Sequence, residues 1–450
     1  MLRTLCGISL GGYKEVKMVK VFLSSTFRDL KEEREALLER LSSALKAVGM
    51  ECFIPGGEPS QSTALGELKK CDIVIFLIST YYGTNIEECS YPDCEAECGV
   101  KTGEEKISCT WCEYRFSVAM GKPHFTYIID EEYWPSEDSA PIIWKLRKEI
   151  EGNELCQRIR KDEVVQKVAE SLTHNIAKWY SEGKINLRNF CGRRKELRDL
   201  FEKINNGKSM EVYGVGGVGK TTLCEVVLFL YKLLGRKIAY IGSEEVHASG
   251  MGHQDSGKIL SPIRHPDVTL PAIADALDLP DDIKKEIPQA QIENILSKVE
   301  GEGIILFLDN PKQSSDLKGL VERGNALVKG SIIITTKKEW GVSQFRLPLK
   351  GVEEREKLVH VMAESLGKEN ITEENARRIG EIAEGHPVAT YVLISNLERI
   401  GIEELESFRK GLDFSKDEDV KEYLDRVVKS ALKGKVYNFL KILSTIRIAS

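Results

Sequence analysis

The 450-residue chain has no apolar run long enough to cross a bilayer. Its longest, around Val226–Leu234, is roughly half of what a spanning helix needs. It has no surplus of positive charge either. The formal net charge is −6, so electrostatics gives no reason to expect nucleic acid as the main ligand. Basic clusters such as Arg193-Arg194-Lys195 are surrounded by acids. The first residues, MLRTLCGISLGGYKEVKM, lack a sustained apolar core and a clear cleavage site, so no secretory signal is read and a cytoplasmic location is expected. No internal repeat and no low-complexity segment breaks the chain. What remains is a soluble globular composition, 42% hydrophobic and 30% charged, with length enough for about three domains.

Cysteine is the exception to this plainness. There are eleven, and Cys89, Cys94, Cys98, Cys109 and Cys112 fall in one short segment. Without an export signal, metal is expected before disulfides. Cys94, Cys98, Cys109 and Cys112 form two close pairs suited to a four-thiolate structural zinc, with Cys89 as a substitute ligand. Reduced, unliganded thiols are the plainer alternative.

The hydropathy pattern predicts alternating strands and helices. Residues 19–25 read as a strand, Phe27 to Val48 as a helix with Leu30, Leu37, Leu38, Leu41, Leu45 and Val48 on one stripe, and Glu51–Ile54 as a short strand. Thr63–Lys70 reads as a helix, Asp72–Ser79 as a buried parallel strand, Trp111–Met120 as a helix and His124–Ile129 as a strand. A small doubly wound α/β domain over 18–135 follows. Residues 136–187 read as a helical connector. A nucleotide-binding α/β domain is expected over 188–345, with a long polar loop at Ser243–Val268. A helical domain is expected over 346–434. Residues 435–450 read as the start of a further domain, of winged-helix type, cut short.

The chemistry concentrates in Glu211 to Glu225, EVYGVGGVGKTTLCE, where Gly214, Gly219, Lys220 and Thr221 have the phosphate-binding P-loop spacing G-x-x-x-x-G-K-T. Gly214, Gly216, Gly217 and Gly219 let the backbone turn its N–H groups inward, across Val218. Lys220 would reach the β- and γ-phosphates, Thr221 would ligate magnesium, and Thr221 and Thr222 open a helix whose N-terminus favours anions. Ile304 to Asp309 is an apolar strand ending in a carboxylate, about 90 residues after the loop, the pattern of a Walker B strand. Asn310 follows it where many ATPases place a second acid, so hydrolysis is expected to be slow or partner-dependent. Lys337, after Thr335-Thr336, either senses the γ-phosphate or is a solvated strand-end lysine.

These motifs, with three more, resemble the STAND class of P-loop ATPases, which includes the NB-ARC proteins. Phe190 to Leu197 resembles the F-x-G-R-x-x-E-L opening motif, Gly330 to Thr336 the G-S-x-x-x-T-T sensor strand, and Gly385 to Ala389 the G-x-P-x-A motif. The resemblance implies a switch in which ADP holds a closed monomer and ATP exchange permits self-assembly into a homo-oligomer. It places Pro387 at the adenine region, Gly192 and Arg193 near the base and ribose, and Thr336 and Lys337 near the phosphates. The class's winged-helix histidine motif and repeat-type sensor domain are not visible before Ser450, so the trigger or partner protein is not named by the sequence.

Val21 to Leu30 with Glu33-Arg34 resembles the S-S-T-F-x-D-L-x-x-E-R signature of a domain of unknown function that heads many prokaryotic STAND proteins and is similar to TIR and nucleoside-deoxyribosyltransferase folds. The fold expected here is accordingly flavodoxin- or TIR-like. Ser24, Ser25 and Thr26 would face a ligand cleft or cap the next helix. Glu113 is the catalytic candidate. It departs by two positions from the W-C-x-x-E setting of NAD-cleaving TIR domains, with Trp111-Cys112-Glu113 here, and fits a deoxyribosyltransferase-like S-x-T-x-x-E as Ser108, Thr110 and Glu113. A carboxylate there could stabilise an oxocarbenium ion. The alternative is an acid favourable to the helix dipole. Together the resemblances imply a slow ATPase switch that presents an effector cleaving NAD or a related nucleotide, in antiviral defence. The alternative keeps the switch and makes the first domain a non-catalytic adaptor for a protein partner.

Overall fold

The computed structural model describes residues 19–26, 28–42, 45–50, 60–91, 94, 96, 100, 106–130, 134, 138, 141–185, 187, 190–204, 206–243, 263–265, 267–368 and 370–431. It is a mixed α/β protein with two main parallel sheets and, among the described residues, 15 α-helices. The chain divides between residues 187 and 188 into two compact units.

The first unit is built on a five-stranded parallel sheet in the order β2-β1-β3-β6-β7. Its strands are β1 (Lys20–Ser25), β2 (Lys46–Val48), β3 (Ile73–Ile78), β6 (His124–Ile129) and β7 (Gln157–Ile159); β4 (Asn85–Ile86) and β5 (Ile107–Ser108) make a separate antiparallel pair. β1 and β3 are buried along their whole length, as expected of strands covered on both faces. Phe22, Val74, Phe76 and Ile78 point to one face, against α2 (Ser60–Lys69), α3 (Cys109–Ala119) and α4 (Pro141–Asn153). Their alternates point to the other, where α1 (Lys31–Ser42) packs on α5 (Val164–Ser181) and Trp179 stacks on Phe125 at 4.8 Å.

Two expectations change here. The helix read from Phe27 to Val48 occupies only Lys31–Ser42. Lys46–Val48 pairs with Lys20–Phe22 as an edge strand, because a parallel ladder satisfies more backbone there than a further helical turn. The strand expected at Glu51–Ile54 lies outside the described residues. Residues 136–187, read as a connector, supply α4, α5 and the edge strand β7, which pairs with β6.

The second unit holds a six-stranded parallel sheet in the order β10-β9-β11-β12-β8-β13. Its strands are β8 (Met210–Tyr213), β9 (Ile238–Ser243), β10 (Ile263–His265), β11 (Ile305–Asp309), β12 (Ser331–Thr336) and β13 (Phe345–Pro348). Around it lie α6 (Arg194–Ile204), α7 (Lys220–Leu233), α8 (Leu270–Ala276), α9 (Pro288–Glu302) and α10 (Ser315–Gly324). α7 carries ten buried residues, Lys220 among them, so it is a core helix. β10 falls inside the segment read as a loop, and β13 straddles residue 346 and adds a sixth strand beside β8.

A helical layer completes the unit: α11 (Arg355–Ser365), α12 (Glu373–Ala383), α13 (Pro387–Ile400), α14 (Ile402–Phe408) and α15 (Asp417–Ala431), around a core that includes Ile379, Leu393, Leu405 and Tyr423. Residues 435–450, read as the start of another domain, lie outside the described residues. Among the described residues no helix is long and apolar enough to cross a membrane.

Candidate functional site

In the second unit the parallel order brings the carboxyl ends of β8, β11 and β12 side by side, with β12 between the other two. The glycine loop leaves β8 at that edge and enters α7 through Gly219, whose φ of 99° caps the helix in the left-handed region that glycine adopts without strain. Thr221 Oγ1 donates to Asp309 Oδ1 at 2.8 Å. Asp309 also accepts from the Thr335 hydroxyl, and from Tyr240 at 3.4 Å on its other oxygen. Asp309 is 2% exposed, and burial pushes its carboxyl up against the opposing pull of Thr335, Thr221 and Lys220. Lys220 is buried too. Burial lowers its ammonium to about 8, opposed by Asp309 and Asp417. Its Nζ donates to the loop's own carbonyls, Gly214 at 2.8 Å and Val215 at 2.9 Å.

This donor set fits a nucleotide with magnesium. Thr221 and Asp309 place two oxygens beside each other, the ligand type a hard cation takes. Lys220 is a buried cation that, among the described residues, hydrogen-bonds to neutral carbonyls, and an arriving phosphate would give it a full anionic partner. Thr222 is half-buried in the first turn of α7. Val218 contributes only backbone to the site, since its side chain is in the core at 1% exposure.

The helical layer reaches the same loop. His386 caps α13, its Nδ1 accepting from the Ala389 N–H at 3.3 Å, while its Nε2 lies 3.0 Å from the Gly216 carbonyl. Pro387 is the first residue of α13, and its Cγ lies 3.8 Å from where a Cβ on Gly219 would sit. Gly217, at φ 79°, has Val388 where its own side chain would be. Lys337 Nζ pairs with Asp417 of α15 at 3.4 Å, and that carboxylate accepts from the Gly216 N–H.

Three predicted positions are held by partners within the fold. Thr336 turns away from the loop and donates to Glu211 at 3.0 Å. The alternation of β12 aims Thr335 at Asp309, so the site hydroxyl is one residue earlier. Arg193 is 7% exposed and its guanidinium binds the backbone carbonyls of Val218, at 3.0 Å, and Lys350. Gly192 lies against Val352, 2.6 Å from where its Cβ would be. These two residues fasten the glycine loop to the segment after β13. Asn310 sits at φ 52°, a left-handed conformation that asparagine tolerates better than glutamate, and its N–H donates to Thr335.

In the first unit Glu113 lies at the start of the second turn of α3, 6% exposed. Ser24, at the end of β1, donates to Glu113 Oε2 at 2.5 Å. Burial pushes the Glu113 carboxyl up to about 7, opposed by Ser24 and Arg34. Arg34 is fully buried and its Nη1 binds Ser25 Oγ at 2.6 Å. The Thr26 and Ser79 hydroxyls both donate to Asp29. Ser24 thus joins β1 to α3, and Asp29 joins Thr26, just after β1, to Ser79, just after β3. Ser108 caps α3 through the Trp111 N–H at 3.3 Å, and Thr110 is buried in its first turn.

Gln61 Nε2 donates to Cys112 Sγ at 3.2 Å and lies 3.9 Å from Cys89 Sγ, Cys94 is in the core, and burial pushes the Cys109 thiol up to about 11. Cys98 lies outside the described residues. Among the described residues no three His, Cys, Asp or Glu side chains gather as metal ligands.

Residues 20–173 match the family described as domain of unknown function DUF4062, from β1 into α5. No curated protein matches the chain. Among solved structures, the Aeropyrum pernix Orc1 protein in complex with DNA aligns at 16% identity with a TM-score of 0.31, over 47% of this chain and 62% of that one. NtrX from Brucella abortus in complex with ATP aligns at 11% identity and a TM-score of 0.28, over 94% of each chain. Its ADP complex gives 11% and 0.28, over 95% of this chain and 96% of that one. This chain thus spans under two thirds of the Orc1 chain, and likenesses this weak carry no functional argument.

Proposed function

We propose that the second unit is a nucleotide-controlled switch of the STAND kind, holding ATP or ADP on the 214–221 loop, with Thr221 and Asp309 as the residues that would hold magnesium. The observation that carries this reading is the Thr221–Asp309 pair at 2.8 Å beside the buried Lys220, with the helical layer seated on the same loop through His386. Bound magnesium would neutralise phosphate charge. Lys220 would bind the outer phosphates, the loop amides would orient them, and Asn310 leaves the position after Asp309 without an acid to activate water. The unit therefore acts by state and turns over slowly. Opening of the helical layer in the ATP state exposes the surface through which copies assemble. Particle mass with ADP and with a non-hydrolysable ATP analogue tests this: a larger particle only with the triphosphate is expected, and one mass under both conditions rejects assembly.

In this reading the first unit is the effector, and Glu113 stabilises positive charge on the ribose of NAD or a related nucleotide as the C1′–N bond breaks. Water supplies hydroxyl to C1′ and the base departs. One observation favours a second reading, the adaptor. A carboxyl raised to about 7 and bonded to Ser24 is half neutral at physiological pH, which suits a buried structural acid. Nicotinamide release from assembled protein separates the two. Release that Glu113→Gln abolishes supports the effector, and no release leaves the adaptor.

A further inference from the structure

The carboxylate of Asp417 sits among groups that a phosphate would use. It accepts the Gly216 N–H, its Oδ2 lies 3.4 Å from Lys337 Nζ, and its charge acts on buried Lys220. A Cβ on Gly216 would lie 3.1 Å from Asp417 Oδ1, so the carboxylate is seated against the loop itself. Asp417 is the first residue of α15, and its side chain is 20% exposed although it is charged. Burial works against that charge, yet Gly216, Lys337 and Lys421 outweigh it and hold the carboxyl below its ordinary range.

The position along the loop matters. Asp417 engages Gly216, near the β8 end, together with the lysine that follows β12. Thr221 and Asp309, at the α7 end, are bonded to each other. In this motif the loop amides cradle the inner phosphates, the lysine reaches the β- and γ-phosphates and the helix-start hydroxyl serves the cation. A carboxylate that pairs with Lys337 and whose charge acts on Lys220 therefore stands on the side of the phosphates that Lys220 reaches.

We infer that Asp417 is a built-in stand-in for the terminal phosphate, which lets the closed helical layer coexist with a nucleoside diphosphate and not with a triphosphate. The inference rests on the reading of residues 214–221 as a nucleotide site. It adds to that reading a discriminating residue and the reason the layer closes. With a diphosphate, Asp417 completes the anionic shell of Lys337 and Gly216. A γ-phosphate would carry three further oxygens and like charge into the same space, so α15 must withdraw.

The test uses the full chain with magnesium, and titrates ADP and a non-hydrolysable ATP analogue against wild type, Asp417→Asn and Lys220→Ala. Asp417→Asn should tighten the triphosphate by about tenfold and change ADP by much less, since a charged hydrogen bond to Gly216 and its repulsion are both removed. Lys220→Ala should weaken both. Equal changes, or none, in Asp417→Asn overturn the inference while nucleotide binding stands. Binding of neither nucleotide to wild type overturns the nucleotide reading and the inference with it. Circular dichroism checks that the variant is folded. Should it not be, amide exchange in wild type decides: the triphosphate should raise exchange over residues 417–424 and ADP should not, and equal responses overturn the proposal.

Discussion

His386 joins the helical layer to the glycine loop in a single tautomer. Its Nδ1 accepts from Ala389 at 3.3 Å, so the proton belongs on Nε2, which donates to the Gly216 carbonyl at 3.0 Å. The ring is 2% exposed, and burial lowers it to about 4 from an ordinary 6.5.

Acid should therefore open this contact. A histidine with a depressed folded value contributes stability that is complete above its unfolded value and is lost as pH falls toward its folded one. The window is pH 6.5 to 4, and the loss is up to about 3 kcal/mol. Amide exchange over residues 387–393, corrected for intrinsic rates, should accelerate across that window in wild type. His386→Asn keeps a capping side chain and should flatten the profile. An unchanged profile would show that His386 does not govern this docking.

Glu113 gives the opposite sign. Its carboxyl is raised to about 7, so the fold favours the protonated form and stability falls as pH rises from about 4.5 through 7, by up to about 3 kcal/mol. Glu113→Gln should remove that slope and be the more stable of the two at pH 8. If Glu113 also acts on a ribose it must be ionised, so nicotinamide release should increase through pH 7 and vanish in the variant. Thermal melts and product assays on one pH series read both.

Arg193 clasps the glycine loop through backbone carbonyls, and substitution tests whether that is its role. Arg193→Lys keeps the charge but loses the planar guanidinium, whose Nη2 binds both carbonyls while its Nη1 holds Glu196. Leaving the Val218 and Lys350 carbonyls short of a donor should cost roughly 2 kcal/mol. The expected outcome is a lower melting temperature of the second unit without nucleotide. A variant that melts as wild type does but binds nucleotide weakly would restore the ribose contact expected from the motif.

The legible parts of this chain were those where composition and geometry coincide. Ile73–Ile78 and Ile305–Asp309 are continuous apolar runs, and only a buried parallel strand accounts for them. Lys46–Val48 and Phe345–Pro348 are too short and too mixed to announce themselves; they are strands because a neighbour offers a ladder. The loop and Asp309 were legible for a related reason, since spacing alone encodes the strand-turn-helix. Arg193 and Thr336 belong to recognisable motifs, yet which way each side chain points depends on partners 157 and 125 residues away. Asp417 reads as one of three acids opening a helix, a common match to the dipole, and only the fold brings it to Gly216. Tyr240 and Glu225 were silent in the same way. Their contact with each other at 3.3 Å, with Asp309 alongside, appears only once β9 lies beside β11.

Gly217 separates loop geometry from docking. Its φ is 79°, and a Cβ there would lie 2.8 Å from Val388 Cγ2, 3.0 Å from Val388 Cβ and 3.1 Å from His386 Cε1. Gly217→Ala therefore does two things. It strains the backbone by roughly 1 kcal/mol, and it pushes the start of α13 off the loop. Adding Val388→Ala removes the nearest obstructing atom and leaves the backbone strain in place. Exchange over residues 387–393 should rise in the single variant and return most of the way in the double variant, while exchange in the loop stays raised in both. If the double variant recovers nothing, the glycine is there for the turn alone, and the helical layer does not depend on the close approach of Val388.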